Sequence, residues 1–380
     1  LQNMNKSIVV AVACLSIAAA ITCKDQYNYD VPWFAAYKMP TMKDSLLGAS
    51  TGTGFYYLDV NDRKTFKPSA VTIDQPHQTI GYTMAQYYSN MTDKNLLHVF
   101  YNDEPAEDAA VKAEDADSVP RSVEYGHTKG VILFDQTSGS GIWLVHSVPK
   151  FPLVKAWQYP DSGTDYGQTF LCLTLDKNTL GQLGTILYYN HPDVYSSNMP
   201  SWATSLSPDM VKVLSGQYNN DPANTHYRAT LTVKGDEKGP AKEVFAKSYL
   251  FNDDLWAGLV APAYGAMEVE TWRRGDLIPT DCTSASPVFD AQEIQLEPSA
   301  EFSYTKDHSK YGRTMTKGKT CIGDINRMTS QYARGGGTVC INDADLWTAF
   351  SVFKEIPSCS TALENNPDKS QLLRSNRISV

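Results

Sequence analysis

Short apolar stretches, separated by glycine, proline and polar residues, predict β-strands along most of the chain. Two of them, at residues 130–135 and 141–149, flank residues 136–140, whose glycine and serine content predicts a hairpin turn. Further strands are predicted at residues 33–38, 98–101, 169–173, 230–234 and 267–272, and a helix at residues 346–353. The chain is therefore expected to be rich in strands and to be organised around hairpins.

The first hairpin carries a histidine and a lysine that we expect to share one face. Alternate residues of a strand point the same way, so His127 and Lys129 should project side by side. The turn would place Lys129 opposite Ser147 or His146. A cation, a proton carrier and a hydroxyl at one sheet edge suit a phosphate. Taken alone, the pattern is better explained by polar side chains on a solvated strand face.

A second copy of this pattern, His308-Ser309-Lys310, lies nearly half the chain away. It is followed by a predicted turn at residues 316–319 and a return strand at 321–327. Pairing about that turn predicts Asp324 opposite Lys310 and Asn326 opposite His308. Two similar halves that each supply half of one site would explain the repeated motif.

The length of 380 residues allows two halves of domain size. Residues 1–20 resemble a secretory signal peptide, with a charged start, an apolar stretch and small residues at Ala18 and Ala20. We predict a first half at residues 21–217, a second half at 218–360 and a polar tail at 361–380. The stretch rich in Asn and Asp at 219–224 would connect the halves.

Cysteine usage agrees with export from the cell. Cys14 lies within the predicted signal peptide, which leaves an even six cysteines, the number expected in an oxidising compartment. Their spacing alone permits 15 pairings. No cysteine or histidine spacing typical of zinc sites occurs, so no metal or cofactor is predicted. Asn90 begins a glycosylation sequon. No other apolar stretch approaches membrane-spanning length, and a secreted or lysosomal protein is expected.

The net charge of −9 is unusual for a protein that binds nucleic acid. Protonating the seven histidines would remove most of it, and the distribution of charge matters more. Residues 306–334 hold seven cationic residues against two acidic ones. We predict that this window tracks a phosphate backbone through Lys306, Arg313, Arg327 and Arg334; an ordinary basic surface loop is the alternative. The acidic stretch at 103–117 is predicted to be a solvated, mobile loop.

Seven short segments, in this order, resemble the deoxyribonuclease II family. They are WFAAYKMP (33–40), YNDEP (101–105), GHTKG (126–130), WLVHSVP (143–149), YGQT (166–169), DHSK (307–310) and RGGGT (334–338). The resemblance implies an α/β (α+β), phospholipase D-like fold with two pseudo-symmetric halves, each a central mixed β-sheet flanked by helices. It also implies the disulfides Cys23–Cys172, Cys282–Cys359 and Cys321–Cys340.

The resemblance further implies metal-independent hydrolysis of DNA at acidic pH, leaving 3′-phosphate and 5′-hydroxyl ends. One histidine of His127 and His308 would attack phosphorus while the other protonates the leaving oxygen. Lys129 and Lys310 would stabilise the charge on the phosphate. Ser147, His146, Asp324 and Asn326 are candidate supporting residues. Little preference for base sequence is expected, and both a monomer and a homodimer remain open.

Two departures from the family pattern bear on activity. Tyr311 follows the second motif where the family usually has tryptophan, and the acidic residue that the superfamily places after each motif lysine has no clear counterpart. A secreted, catalytically weak relative that binds DNA or a host protein is therefore an alternative hypothesis. A phospholipase is a weaker one, because no amphipathic membrane-binding helix is evident.

Overall fold

The computed structural model describes residues 20–43, 46–109 and 125–359. In the first part of the chain the strands are β1 (Cys23–Lys24), β2 (Asp30–Val31), β3 (Trp33–Lys38), β4 (Phe55–Asp59), β5 (Asp62–Pro68), β6 (Leu96–Asn102), β7 (Lys129–Asp135), β8 (Ser140–His146), β9 (Gln168–Asp176) and β10 (Val194–Asn198). The helices there are α1 (Thr79–Tyr88), α2 (Leu180–Asn190), α3 (Ser201–Thr204) and α4 (Pro208–Leu214).

The second part of the chain holds β11 (His226–Leu231), β12 (Lys242–Lys247), β13 (Met267–Glu270), β14 (Val288–Asp290), β15 (Glu293–Glu297), β16 (Ala300–Ser303), β17 (Tyr311–Thr314), β18 (Lys319–Gly323), β19 (Gly336–Asn342) and β20 (Phe353–Glu355). Its helices are α5 (Ala261–Tyr264), preceded by a π-helical turn at Trp256–Val260, and α6 (Ala344–Ala349).

Two large sheets organise the fold. The first has the order β10-β6-β7-β8-β9-β3-β4-β5 with antiparallel neighbours throughout. The second has the order β11-β12-β19-β18-β17-β13-β14 and is mixed, because β13 and β14 are parallel. The α/β fold with two sheet-centred halves is thereby confirmed. Along the chain, the predicted boundary between residues 217 and 218 follows the last strand of the first sheet and precedes the first strand of the second sheet. We keep this boundary as a proposal.

Strand β3 shows how the sequence builds the layers. Its side chains are buried on both faces, as the run of apolar residues requires. Trp33 and Tyr37 join a core that also contains side chains of the second sheet, such as Ile322. Phe34 points the opposite way and packs with Met84 of α1. Each apolar side chain buried in this way contributes roughly 1.5–3 kcal/mol.

The predicted elements agree best where apolar stretches are continuous. The strand at 33–38 and the turn at 136–140 are confirmed, and the strands at 98–101 and 169–173 lie inside longer ones. The strand at 230–234 was placed too late and the one at 267–272 was too long. The helix predicted at 346–353 is shorter and starts earlier, at Ala344, because Asp343 caps its first N–H groups.

Three disulfides join Cys23 to Cys172, Cys282 to Cys359 and Cys321 to Cys340, as the resemblance implied. Asn90 is exposed at the end of α1. Among the described residues, no helix is both long enough and apolar enough to span a membrane. Residues 1–19 of the predicted signal peptide and the predicted tail at 361–380 lie outside the described part of the chain.

Candidate active site

The first His-x-Lys motif lies where the two halves meet. The backbone N–H of Gly126 donates to the carbonyl of His191 at 2.7 Å, and that of His127 donates to the carbonyl of Gly335 at 2.9 Å. A Cβ at Gly126 would lie 1.8 Å from the carbonyl oxygen of Asn190, so this close approach requires glycine. The motif is therefore held against the glycine loop that leads into β19.

Asp103, just after β6, is the anion around which the first half-site is assembled. Its carboxylate accepts hydrogen bonds from Lys129 Nζ and from Arg334 Nη2, the latter at 2.9 Å, and lies 2.9 Å from Nδ1 of His127. Burial alone would raise the pKa of Asp103, but the charges of His127, Lys129 and Arg334 hold it well below its usual value. One buried carboxylate thus neutralises cations from both halves.

The predicted mobile loop at 103–117 was wrong at its first residue, because Asp103 is only 2% exposed. Glu104 and Glu107 are exposed, and residues 110–117 lie outside the described part of the chain. A signal for Asp103 was present. The buried strand β6 runs through Asn102, which pairs with Lys129 of β7, so the next residue lies beside the motif lysine.

The imidazole of His127 is largely enclosed. Nδ1 lies 2.9 Å from Asp103 and 3.0 Å from Arg334 Nη1, while Nε2 lies 3.3 Å from Asn326 Nδ2. One ring nitrogen cannot donate to the carboxylate and accept from the guanidinium at once. With its proton on Nδ1, the ring donates a hydrogen bond to the carboxylate of Asp103 and keeps a lone pair on Nε2. Burial, aided by Lys129, lowers the pKa of His127 to about 3 against the opposing effect of Asp103.

Asp324 connects the halves, but not as predicted. Tyr311 pairs with Ile322, and the N–H of Gly323 donates to the carbonyl of Lys310, so the hairpin register is one residue away from the predicted one. In a strand, such a shift moves side chains to the other face. Asp324 accepts hydrogen bonds from Thr128 Oγ1 and, at 2.9 Å, from the N–H of Gly337. Burial raises its pKa to about 6.

The second motif is anchored to the first half through Gly167, whose N–H donates to the carbonyl of Lys306 while its carbonyl accepts from the N–H of His308, both at 2.8 Å. The His308 ring stacks on Tyr166 with centroids 4.3 Å apart and meets the edge of Trp272 at 3.7 Å. Its Nε2 is buried and makes no hydrogen bond within the described residues. Asn326, predicted opposite His308, contacts His127 instead.

The motif lysines and histidines influence each other's charge. Burial lowers the pKa of His308 to about 2, and Lys310, Lys129 and His127 lower it further in that order. Burial lowers the pKa of Lys310 to about 7, with Lys129 as the next cause. Lys310 Nζ donates to the carbonyl of His308. The charges of the four side chains therefore act on one another across the two halves.

Sequence reasoning missed two further buried groups beside the second motif. Lys38, at the end of β3, donates from Nζ to the carbonyl of Thr164 at 2.8 Å, and its charge also lowers the pKa of His308. Asp307 accepts hydrogen bonds from the Tyr37 hydroxyl and, at 3.0 Å, from the N–H of Ser309. Lys38 lay inside a predicted strand, but nothing in the pattern of that strand indicated that its charged side chain would be buried.

The supporting residues of the first hairpin have structural partners. Ser147 Oγ donates to Gln168 Oε1 at 2.5 Å and accepts from the N–H of Thr169 at 3.0 Å, which ties β8 to β9. His146 lies opposite Lys129 in the register of β7 and β8, and its Nδ1 accepts from the N–H of Val148. Burial, with Lys129 second, lowers the pKa of His146 to about 3.

The four residues predicted to contact the DNA backbone lie in different environments. Arg334 belongs to the Asp103 cluster, and Lys306 is exposed beside the second motif. Arg327 is wrong as a DNA contact, because it is buried and bound by Asp254 and Asp290.

Arg313 is partly exposed and is already bound to groups of the protein. Its Nε lies 2.8 Å from Glu268, and its guanidinium covers the Trp347 ring at 4.4 Å. Its contact with DNA stays a prediction.

Tyr311, which stands where the family usually has tryptophan, lies in the hydrophobic core. Its ring is fully buried and packs against Tyr37, Phe350 and Phe353. Because the side chain follows Lys310 on a strand, it points away from that lysine. The substitution therefore changes core packing and leaves the charged groups of the site in place.

Within residues 20–43, 46–109 and 125–359, no group of three or more His, Cys, Asp or Glu side chains could hold a metal ion. The site that the structure shows consists of cations, two histidines and buried carboxylates. Such a set can bind a phosphodiester, supply a nucleophilic nitrogen and move a proton.

Comparison with known proteins agrees with this chemistry. The family Deoxyribonuclease II matches residues 22–359. Deoxyribonuclease-2 of Caenorhabditis elegans is 45% identical over 90% of this chain and 95% of its own. Plancitoxin-1 of Acanthaster planci is 34% identical over 90% and 93%, and Deoxyribonuclease-2-alpha of Mus musculus is 30% identical over 93% and 98% of the two chains.

Proposed function

The chain belongs to the deoxyribonuclease II family and is a nuclease, and on that premise we propose that it hydrolyses DNA phosphodiesters without a metal ion, leaving 3′-phosphate and 5′-hydroxyl ends. The observation that carries the proposal is the contact between the two halves at both motifs, where His127 meets Asn326 and Arg334, and the N–H of His308 donates to the carbonyl of Gly167. The lysines stabilise the charge that a metal would otherwise offset.

His127 is the proposed nucleophile. Asp103 accepts the proton on Nδ1, which orients the ring and stabilises the cation formed during attack, while Nε2 keeps its lone pair. His308 has no carboxylate partner of this kind among the described residues. The asymmetry between the two rings supports a division of roles, with His308 as the acid.

The reaction proceeds in two displacements. Nε2 of His127 forms a bond to phosphorus as the P–O5′ bond breaks, and His308 gives its proton to the departing 5′ oxygen. Water then attacks phosphorus, His308 takes a proton from it, and the P–N bond breaks to release the 3′-phosphate. The bound phosphodiester raises the low pKa of His308, because its negative charge favours the protonated ring.

Two titrating groups support an acidic working range. Burial and Lys129 lower the pKa of Lys310 to about 7, so its positive charge is present below that pH and is lost above it. Burial raises the pKa of Asp324 to about 6, so this carboxyl is neutral at lower pH. Both changes make the site more positive as pH falls, which favours the anionic substrate. A secreted or lysosomal location is part of the same proposal, and the three disulfides support it.

The test is plasmid digestion at about pH 5 in the presence of EDTA, a pH below the pKa of both Lys310 and Asp324. His127→Ala and His308→Ala should each abolish cleavage and retain salt-sensitive DNA binding. The matched control is His226→Ala, since His226 is exposed on the edge strand β11. Fragments should need phosphatase treatment before a polymerase extends them. Direct extension, a magnesium requirement, or near wild-type rates in either histidine variant would refute the proposal.

A further inference from the structure

A cluster of two aromatic rings and two cations borders His308 on its solvent side. We name it the aromatic–basic rim: Tyr166, Trp272, Arg274 and Lys306. The two rings contact each other with centroids 4.8 Å apart, and both contact His308. The guanidinium of Arg274 lies 4.6 Å from the Trp272 centroid and 5.7 Å from that of Tyr166, and Lys306 Nζ lies 5.9 Å from Tyr166.

The rim differs from the other aromatic clusters in its exposure and its charge. Tyr166 and Trp272 are partly exposed, and Arg274 and Lys306 are exposed. In the described part of the chain no carboxylate forms an ion pair with either cation; Arg274 Nη2 donates only to the carbonyl of Thr305 at 3.2 Å. In a chain of net charge −9, two uncompensated positive charges beside the site favour an anionic ligand.

We propose that the rim binds the nucleotide whose 5′ oxygen leaves, with its base stacked on the Trp272–Arg274 pair and its own 3′-phosphate held by Arg274 and Lys306. Planar guanidinium groups and tryptophan rings are both stacking surfaces for bases, and cations beside them bind the backbone. This inference rests on the proposed function, because His308 must face the leaving oxygen for the rim to lie on that side of the scissile bond.

A consequence for substrate choice follows. A base can stack on the rim only after it leaves its neighbours in the duplex, which costs a few kcal/mol for a paired base and little for an unpaired one. Base identity matters little, since every base offers a flat face.

The test uses oligonucleotides with one cleavable phosphodiester, followed by thymidine or by an abasic residue. Arg274→Ala should lower kcat/KM on both substrates, but about tenfold more on the thymidine substrate than on the abasic one, because only the thymidine substrate also loses a stacking surface. Lys306→Ala should lower both equally and reduce the slope of log affinity against log salt by about one. A nitrophenyl phosphodiester, which lacks the leaving nucleotide, should be cleaved equally by wild type and both variants.

Arg313→Ala is the matched control, since Arg313 also covers a tryptophan ring, at 4.4 Å, but binds Glu268 and, among the described residues, contacts neither motif. Equal losses by Arg274→Ala on thymidine and abasic substrates would overturn base stacking. Binding of the same oligonucleotides to the His127→Ala variant separates the inference about the rim from the proposed function. Loss of base-dependent binding in Arg274→Ala/His127→Ala supports the rim, whereas continued cleavage by His127→Ala refutes the proposed function alone.

Discussion

Replacing Asp103 by asparagine is the sharpest single test of how the site is built. The substitution keeps the shape of the side chain and removes the one negative charge shared by His127, Lys129 and Arg334. Three groups would lose their common partner, two of them cations that are at most 8% exposed. Leaving buried charges uncompensated costs about 3–5 kcal/mol of stability.

The effect on catalysis should be larger than the effect on folding. An amide can hold Nδ1 of His127 in the wrong tautomer, and in the serine-protease triad the equivalent change lowers kcat about 10⁴-fold. We expect a loss of about 10³- to 10⁴-fold in kcat for Asp103→Asn, measured on plasmid DNA and on a nitrophenyl phosphodiester. Asp103→Glu, which keeps the charge, should recover part of the rate.

Glu107→Gln provides the control from the same acidic segment, because Glu107 is exposed and pairs only with Lys150, at 3.1 Å. It should retain wild-type rates and stability. Denaturant unfolding and circular dichroism would show whether Asp103→Asn is folded at the assay temperature. A folded Asp103→Asn protein with more than a tenth of the wild-type rate would contradict the role assigned to this carboxylate.

Four further changes test other parts of the structure. Activity should fall as pH rises through 6 to 7, and Lys310→Arg, which keeps its charge, should extend the profile of kcat/KM to higher pH; an unshifted basic limb would contradict the role of Lys310. Removing the Cys321–Cys340 disulfide by double alanine substitution should cost about 3 kcal/mol in denaturant unfolding. Arg327→Ala should lose at least 3 kcal/mol of stability, whereas reduced DNA affinity in a stable protein would restore Arg327 as a DNA contact. Tyr311→Trp should lower stability by about 1–3 kcal/mol through overpacking, with kcat unchanged.

The two motifs and the core strands were accessible from the sequence because local patterns determine them. Strand β3 is buried on both faces and therefore appears as an uninterrupted apolar run at Trp33–Lys38. The turn at 136–140 follows from its glycine and serine residues. His127 and Lys129 could be paired from their spacing, and both contact Asp103, although His127 lies just before β7 and not on the strand. In each case the information lies within a few consecutive residues.

The distant partners of Asp103, Asp324 and Arg327 could not be found this way. Asp103 depends on Arg334, 231 positions away, and Asp324 on Thr128, 196 positions away. An acidic residue in a polar stretch has the same local signature whether it is solvated or buried. Only the tertiary structure supplies the partners that offset its desolvation.

The sequence by itself therefore determined the apolar core strands and the hairpin of the first half, and its repeated pattern singled out the four motif side chains. The tertiary structure decided the register of the second hairpin, where a shift of one residue binds Gly323 to Lys310 and leaves Asp324 bonded to Thr128. It also decided which cations are exposed, as Lys306 is, and which are bound by buried carboxylates, as Arg327 is. The physical reason is that charge and hydropathy patterns act over one turn or strand, whereas the burial of a charge is set by groups from distant parts of the chain.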